Sequence, residues 1–290
     1  MGFFMKRTLI FTLAIALTLC LLTTTGCTST PGIITQPQVQ VTQNFQVVSI
    51  NATPVQYAQV NGIRLGYREF GSGEPVLMIP GFGATMNTEW NETFIGILAS
   101  KYHVYIYDPR GMGYSGNNNA TPAISLYADD AGGLMTALGY DSMHVYGVSM
   151  GSTVSQQLVI DHPERVRKLV LDSNAYSIRL PETRRLLSII EAVAVDPAQS
   201  KGVRNEALAN LAWNGSWDRL SGIHKDVMLV VGTNDELTPD AVSVRMAAQI
   251  NGSWLVRFKG LPHVGSHYAP VEYGENALKF LDMDESPLNT

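Results

Sequence analysis

The sequence is poor in cysteine: Cys20 and Cys27 are the only two among 290 residues, and both lie near the N-terminus. The folded part of the chain therefore has no disulfide and no metal site built on thiolates. Runs of lysine or arginine are also missing and the net charge is −5, so a nucleic-acid-binding function is set aside. With 16% charged and 45% hydrophobic residues, the composition is that of a globular protein.

The apolar run over residues 9–22 is short for a membrane span, and two basic residues precede it. These features are typical of a signal peptide, and the run ends in Thr24-Thr25-Gly26-Cys27, which resembles a lipobox. We predict a signal peptide over residues 1–27 with lipidation at Cys27. An uncleaved anchor, or a signal peptide with an incidental cysteine, is the alternative. Each interpretation places the protein outside the cytoplasm, at the cell surface or anchored to a membrane.

Residues 28–54 are rich in Thr, Gln, Pro and Ser without an apolar period, which predicts a flexible tether. A folded domain is expected over residues 55–290. It begins with two alternating runs, Gln56–Val60 and Arg64–Phe70, separated by Asn61-Gly62, and this pattern predicts a β-hairpin.

Continuous apolar runs then alternate with helical patterns, which predicts an α/β fold: a mostly parallel sheet with helices on both faces and the hairpin at its front edge. The predicted strands are Val76–Ile79, Val104–Tyr107, Met143–Tyr146, Leu169–Leu171, Val227–Val231 and Trp254–Phe258. The predicted helices are Ser125–Leu138, Gly151–Asp161, Pro239–Ile250 and Val271–Leu281.

The stretch over residues 174–224 interrupts this alternation. It contains two helical segments, Pro181–Ala194 and Gly202–Trp213, and no convincing strand. We predict a small helical lid over one end of the sheet, with a long helical crossover as the alternative.

The pentapeptide Gly147-Val148-Ser149-Met150-Gly151 lies between a predicted buried strand and a predicted helix. In that context Gly-x-Ser-x-Gly indicates a nucleophile elbow, whose tight turn has no space for side chains at the glycines. Ser149 is the candidate nucleophile, since its position at a helix N-terminus favours a developing negative charge. The alternative is a glycine-rich helix start with a capping serine.

A serine hydroxyl needs a base to become a good nucleophile, and six histidines are available. Four of them lie at strand starts or at a helix end. His263 and His267 instead lie in the loop between the last predicted strand and the last predicted helix. We favour His263 because it follows the strand directly, and His267 stays as its alternative.

The imidazole needs an acid that fixes its tautomer and stabilises its charged form. Asp235 follows a predicted buried strand and is favoured, with Glu236 and Asp172 as alternatives. An oxyanion hole is also required. The backbone N–H groups of Met150 and of Phe82, in Pro80-Gly81-Phe82-Gly83, are its candidate donors. A plain glycine-rich turn is the alternative for that loop, and Asp108 and Arg110 are interpreted as loop braces.

With these motifs the chain resembles the α/β-hydrolase superfamily over about residues 55–281. The resemblance rests on Pro-Gly-Phe-Gly at 80–83, Asp-Pro-Arg-Gly-Met-Gly-Tyr-Ser at 108–115, Gly-Val-Ser-Met-Gly at 147–151, Gly-Thr-Asn-Asp at 232–235 and the loop of His263. The chain order Ser149, Asp235, His263 is also the order of that fold. The motifs look like the branch with esterases, lactonases, epoxide hydrolases, proline iminopeptidases and cofactor-free haloperoxidases. A serine at 149 argues against the members that use an aspartate nucleophile.

The resemblance implies an α/β-hydrolase fold and no metal or organic cofactor. The predicted activity is hydrolysis of an ester or a related acyl bond in a small-molecule substrate, through a Ser-His-Asp triad and an acyl-enzyme. Another acyl reaction on the same triad, by an aminopeptidase, thioesterase or perhydrolase, is one alternative. A protein that kept the fold for binding and lost turnover is another. The oligomeric state is not predicted.

Overall fold

A computed structural model of the chain describes residue 45 and residues 47–283. The predicted signal peptide, Cys27 and most of the predicted tether lie outside the described residues. Within the described part, no helix is both long and apolar enough to cross a membrane. Val48 and Ile50 are buried in the core, and Ile50 N–H donates to the Glu92 carboxylate at 2.7 Å. The packed domain thus begins several residues before the predicted boundary at residue 55.

Eight strands form one sheet, as the sequence predicted for a mostly parallel α/β fold. The strands are β1 (Gln56–Val60), β2 (Ile63–Phe70), β3 (Glu74–Ile79), β4 (Tyr102–Tyr107), β5 (Met143–Val148), β6 (Val166–Asp172), β7 (Asp226–Gly232) and β8 (Trp254–Phe258). Their order across the sheet is β1-β2-β4-β3-β5-β6-β7-β8. Strands β1 and β2 form the predicted antiparallel hairpin and β2 also pairs antiparallel with β4, whereas the remaining neighbours are parallel.

The central strands are continuous apolar runs because both faces of the sheet are covered. In β3, Leu77 and Ile79 pack into a core on one face, while Val76 and Met78 pack into a second core on the other face. Side chains alternate between the faces of a strand, so a strand between two helical layers needs apolar residues at every position. Parallel strands also bring their carboxyl ends to one edge of the sheet, and the loops at that edge carry the predicted site residues.

Seven helices of the described chain surround the sheet: α1 (Glu92–Ala99), α2 (Ile124–Ala137), α3 (Met150–Asp161), α4 (Arg184–Val195), α5 (Lys201–Ala212), α6 (Asp240–Gln249) and α7 (Pro270–Asp282). Residues of α2, α3 and α6 contribute to the first core and those of α1 and α7 to the second. The sequence did not predict α1. Its residues from Phe94 to Ala99 are all buried, so it lacks the polar face that marks an amphipathic helix.

Helices α4 and α5 form the inserted segment between β6 and β7, and they differ in how they are held. Helix α5 is docked on the domain, because Ala209 lies in the first core and Trp213, just after α5, donates from Nε1 to Gln157 Oε1 at 3.0 Å. Helix α4 contributes no residue to either of the two cores, and Ile190 is the one residue of that helix that is fully buried. The segment for which the sequence predicted a lid therefore contains a fixed inner helix and a more exposed outer helix.

The loop after β4 is held by the two residues interpreted as braces. Asp108 accepts hydrogen bonds from Met86 N–H and Tyr114 N–H, both at 2.7 Å. Arg110 forms a bidentate ion pair with Asp130 of α2 at 2.6 Å, and both side chains are almost fully buried. These contacts agree with the structural interpretation of Asp108 and Arg110.

Candidate active site

Ser149 occupies the sharp turn between β5 and α3. Its backbone is strained, with φ 53° and ψ −116°, a region that residues other than glycine rarely adopt. The flanking glycines are required by close backbone contacts. A Cβ on Gly147 would lie 2.4 Å from Gly151 O, and a Cβ on Gly151 would lie 2.0 Å from Ile79 O. The turn therefore has the geometry of a nucleophile elbow, which lifts the Ser149 hydroxyl above the carboxyl edge of the sheet.

A continuous chain of hydrogen bonds joins the three residues favoured from the sequence. Ser149 Oγ lies 2.9 Å from His263 Nε2, and His263 Nδ1 lies 2.7 Å from Asp235 Oδ2. A carboxylate only accepts, so Nδ1 carries the proton and donates to Asp235, which leaves Nε2 to accept from the Ser149 hydroxyl. These contacts join residues 114 and 28 positions apart in the sequence, and they give the imidazole the tautomer that a general base requires.

Asp235 is itself held by three local donors. Its Oδ1 accepts from Leu237 N–H at 2.9 Å and from Thr238 N–H at 2.8 Å, and its Oδ2 accepts from the Thr238 hydroxyl at 2.8 Å. The Asp235 side chain is fully buried, whereas His263 keeps 18% of its side-chain surface exposed. The carboxylate is therefore fixed in position, and the imidazole on its own loop remains within reach of solvent.

The alternatives weighed for the base and the acid lie elsewhere. His267 is exposed on the short turn after the His263 loop, and Glu236 is exposed in an ion pair with Arg185. Asp172 is fully buried at the end of β6, but its carboxyl group accepts from Tyr146 Oη at 2.8 Å and from Ser173 Oγ at 3.0 Å instead of bonding to His263. Burial raises the pKa of Asp172 to about 7, against the opposing effect of these hydrogen bonds and of the nearby His263 charge.

Phe82 and Met150, the residues predicted to donate to an oxyanion, line one pocket with Ser149. Within the described residues, neither backbone N–H donates a hydrogen bond to a protein acceptor. Both amides thus remain available to a ligand atom. Met150 is the first residue of α3, where unpaired N–H groups favour negative charge.

Two buried carboxyl groups on either side of Phe82 were not predicted from the sequence. Gly81 N–H donates to Glu89 Oε2 at 2.8 Å, and Gly83 N–H donates to Glu206 Oε2 at 2.7 Å. Burial raises the pKa of both carboxyl groups, that of Glu206 to about 8. The signals were weak, because a glutamate on a helical pattern, such as Glu206, or in a segment between elements, such as Glu89, is usually a solvated residue.

The pocket above Ser149 is narrow and mostly apolar, and the space of about 300 Å³ between its lining residues includes a part open to solvent. Ile178 and two residues of α4, Leu186 and Ile190, cover it, and Asn210 of α5 is one of its few polar side chains. Charged residues are not among those lining it. Such a lining suits an uncharged acyl group more than a charged one, since burying an unpaired charge is costly. In the described part of the chain, no cluster of three or more His, Cys, Asp or Glu residues is arranged to hold a metal ion.

Comparison with known proteins agrees with this fold. The sequence profile of the alpha/beta hydrolase fold family matches residues 74–190. A protein of Azorhizobium caulinodans assigned by name as the carbamate hydrolase RutD is 26% identical over 260 residues, which is 77% of this chain and 97% of that protein. The 2-hydroxymuconate semialdehyde hydrolase of a Pseudomonas species is 31% identical over 173 residues, covering 53% of this chain and 58% of its own length.

Solved structures share the fold at low sequence identity. A thermophilic esterase from Thermogutta terrifontis superposes with a TM-score of 0.68 at 20% identity, and the match covers 79% of this chain and 98% of the esterase. At 20% sequence identity the structural similarity shows a shared fold and nothing about function. Together with the profile match and the similar hydrolases, it shows that the chain has the α/β-hydrolase fold and is a hydrolase of that fold.

Proposed function

We propose that the protein is a serine hydrolase that cleaves an ester or a related acyl bond through an acyl-enzyme. The observation that carries the proposal is the chain of hydrogen bonds from Ser149 Oγ through His263 to Asp235, at 2.9 and 2.7 Å. These distances lie within the range in which a base takes a proton from a nucleophile. The small apolar pocket beside Ser149 supports an uncharged acyl group as the part of the substrate bound there.

In the proposed reaction Ser149 Oγ attacks the carbonyl carbon while His263 Nε2 takes the hydroxyl proton. The carbonyl π electrons move to the oxygen, and the N–H groups of Phe82 and Met150 stabilise that negative charge. Collapse of the tetrahedral intermediate breaks the bond to the leaving group, which receives the proton from His263. Water then attacks the acyl-enzyme and gives a proton to His263. The second collapse breaks the bond between the acyl carbon and Ser149 Oγ, which takes the proton back from His263 as the acid is released.

The test is the substitution Ser149→Ala, assayed with p-nitrophenyl acetate. We expect kcat to fall by a factor on the order of 10⁴ or more, because removing a nucleophile leaves only binding and oxyanion stabilisation. Ser243→Ala is a matched control, since Ser243 is buried on α6 and its hydroxyl finds no hydrogen-bond partner in the part of the chain that the structure describes. A Ser149→Ala variant as active as the wild type would disprove the proposal.

Two alternatives remain, and each has its own readout. A fluorophosphonate probe separates an enzyme from a binding protein, since labelling that disappears in Ser149→Ala requires an activated hydroxyl at this position. Substrate profiling over esters, thioesters, lactones, aminoacyl amides and carbamates then separates the acyl reactions. The carbamate belongs in the set because a similar hydrolase is named for it. We expect esters to be the best class, and a clear preference for amides would favour the aminopeptidase alternative.

We further propose that the protein is exported and anchored to a membrane through a lipid on Cys27. The proposal rests on the pattern of residues 1–27 in the sequence. Cells expressing the full chain and fed labelled palmitate are expected to incorporate label into the wild type and into Cys20→Ala, but not into Cys27→Ala. Equal label in wild type and Cys27→Ala would contradict lipidation at this cysteine.

A further inference from the structure

The loop that carries Phe82 is fixed on both sides by carboxyl groups from distant parts of the fold. Glu89 comes from the segment before α1, and Glu206 comes from α5, 123 positions along the chain from Gly83. Gly83 has φ +72°, so it takes up the left-handed conformation that turns the chain here. With Gly81 N–H and Gly83 N–H both bonded, Phe82 N–H is the one amide of this loop left free within the described structure.

Helix α5 gives Glu206 a rigid support. Gly202 packs against the backbone of the loop after β4, where a Cβ on Gly202 would lie 2.1 Å from Gly111 O. One turn after Glu206, Asn210 Nδ2 donates back to the Glu206 carbonyl at 2.9 Å and its side chain lines the pocket. A displacement of Glu206 would therefore reach both the oxyanion loop and the pocket wall.

We propose that Glu206 is a positioning residue of the reaction, which aims Phe82 N–H at the oxyanion through its hydrogen bond to Gly83, and that it acts as the uncharged acid. This inference rests on the proposed function of Ser149. The side chain of Glu206 is completely buried, and its Oε1 has no hydrogen-bond partner among the described residues. An ionised carboxylate would leave that oxygen charged and unpaired, which is costlier than a neutral acid.

The groups that face Glu206 favour the same state. Glu89 is the carboxyl group near Glu206. The phenols of Tyr107 on β4 and Tyr127 on α2 also interact electrostatically with Glu206. Burial raises the pKa of Glu206 to about 8, Glu89 acts in the same direction, and the Gly83 hydrogen bond opposes both. Arg110 and Asp130 lie near these tyrosines and are paired to each other. The remaining charged residues of the neighbouring helices are exposed or half-buried: Arg184, Arg185 and Glu191 of α4 and Lys201 of α5 are exposed, and Arg204 of α5 is half-buried.

The charge state has a direct consequence for catalysis. A second negative charge beside the loop would oppose the charge that develops on the carbonyl oxygen, and this opposition acts in the transition state only. We therefore expect the kcat of the wild type to fall above about pH 8, to about a tenth by pH 9 if the ionised form is inactive.

The experiment compares Glu206→Gln and Glu206→Leu with the control Glu191→Gln, which removes an exposed carboxylate from α4. kcat and KM for p-nitrophenyl acetate are measured between about pH 6 and 10, per mole of protein folded by circular dichroism. Glu206→Gln keeps the acceptor and cannot ionise, so it should retain kcat near pH 7 and lose the alkaline decline. Glu206→Leu loses the acceptor, and kcat should fall at least about tenfold with KM changed by less than about threefold. Glu191→Gln should match the wild type throughout.

Two results would overturn the inference: an unchanged kcat in Glu206→Leu, or an alkaline decline that persists in Glu206→Gln. If the leucine variant does not fold, the pH profile of the isosteric glutamine variant decides. Ser149→Ala in the same assay separates this inference from the proposed function. An inactive Ser149→Ala beside a fully active Glu206→Leu overturns the role of Glu206 alone, whereas an active Ser149→Ala overturns the proposed function and the inference with it.

Discussion

Ser149 is tied to Asp172 through the backbone: the Ser149 N–H donates to the Asp172 carbonyl oxygen at 3.0 Å. The next residue, Ser173, also has a positive φ of 50°, and its hydroxyl accepts from Val264 N–H at 3.0 Å, directly after His263. Strand β6 therefore joins the turn of the proposed nucleophile to the loop of the proposed base. The strain at Ser149 is held by neighbours that would have to move together to release it.

The first prediction concerns the glycines of this turn. Gly151→Ala should lower the midpoint of thermal unfolding and reduce kcat at least about 100-fold, because the new Cβ meets the carbonyl oxygen of Ile79 and must push β3 away from the elbow. Gly222→Ala is the control, since a Cβ there meets no atom within 4 Å. Thermal melts and kcat for p-nitrophenyl acetate check both variants. If Gly151→Ala behaves like Gly222→Ala, the contact at Ile79 O does not constrain the turn.

How much of this site follows from the sequence depends on the distance over which each interaction acts. The turn at Ser149 is local, since the glycines, the strand and the helix are contiguous, and their pattern was sufficient to place it. The central strands were also predictable, because an apolar residue on both faces produces an unbroken apolar run. The roles of Ser149, Asp235 and His263 in catalysis remain predictions that the proposed experiments address.

Other features lie beyond local patterns. Helix α1 was missed because burial on nearly every side removes its amphipathic period, although Asn91 caps it by accepting from Thr93 N–H at 2.9 Å. The roles of Glu89 and Glu206 depend on which backbone amide each carboxyl group meets after folding. For Glu206 that amide is 123 positions away, and neither periodicity nor composition records such a contact.

The second prediction separates Asp235 from Asp172 as the acid that orients His263. Asp235→Asn should reduce kcat by a factor on the order of 10³ to 10⁴, because an amide in this position favours the wrong imidazole tautomer. Asp172→Asn should reduce it less than about tenfold, since the Asp172 carboxyl group bonds to Tyr146 and Ser173. Steady-state kinetics on both variants are the measurement. The reverse order of effects would assign the orienting role to Asp172.

The third prediction concerns the pH dependence of stability. The folded pKa of Asp172 is raised to about 7, so between its ordinary value of 3.8 and 7 the folded state holds a proton that the unfolded state has lost. The free energy of unfolding must then decrease as pH rises through this window, by a few kcal/mol in total for this one group. Asp172→Asn removes the contribution of this group to the pH dependence of stability. The difference between the midpoints of thermal unfolding, variant minus wild type, should therefore increase from about pH 4.5 to 7.5, whatever its value at pH 4.5.

The last prediction concerns the pocket wall formed by α4. Leu186 lines the pocket, whereas Ile189 on the same helix is 41% exposed and is not among the lining residues. Leu186→Ala should enlarge the space for the acyl group and raise the ratio of kcat/KM for p-nitrophenyl octanoate to that for the acetate by about tenfold, since buried methylene groups each contribute about 0.8 kcal/mol. Ile189→Ala should leave the ratio unchanged. An equal effect of the two substitutions would mean that α4 acts through its overall stability and not through the wall it presents to the substrate.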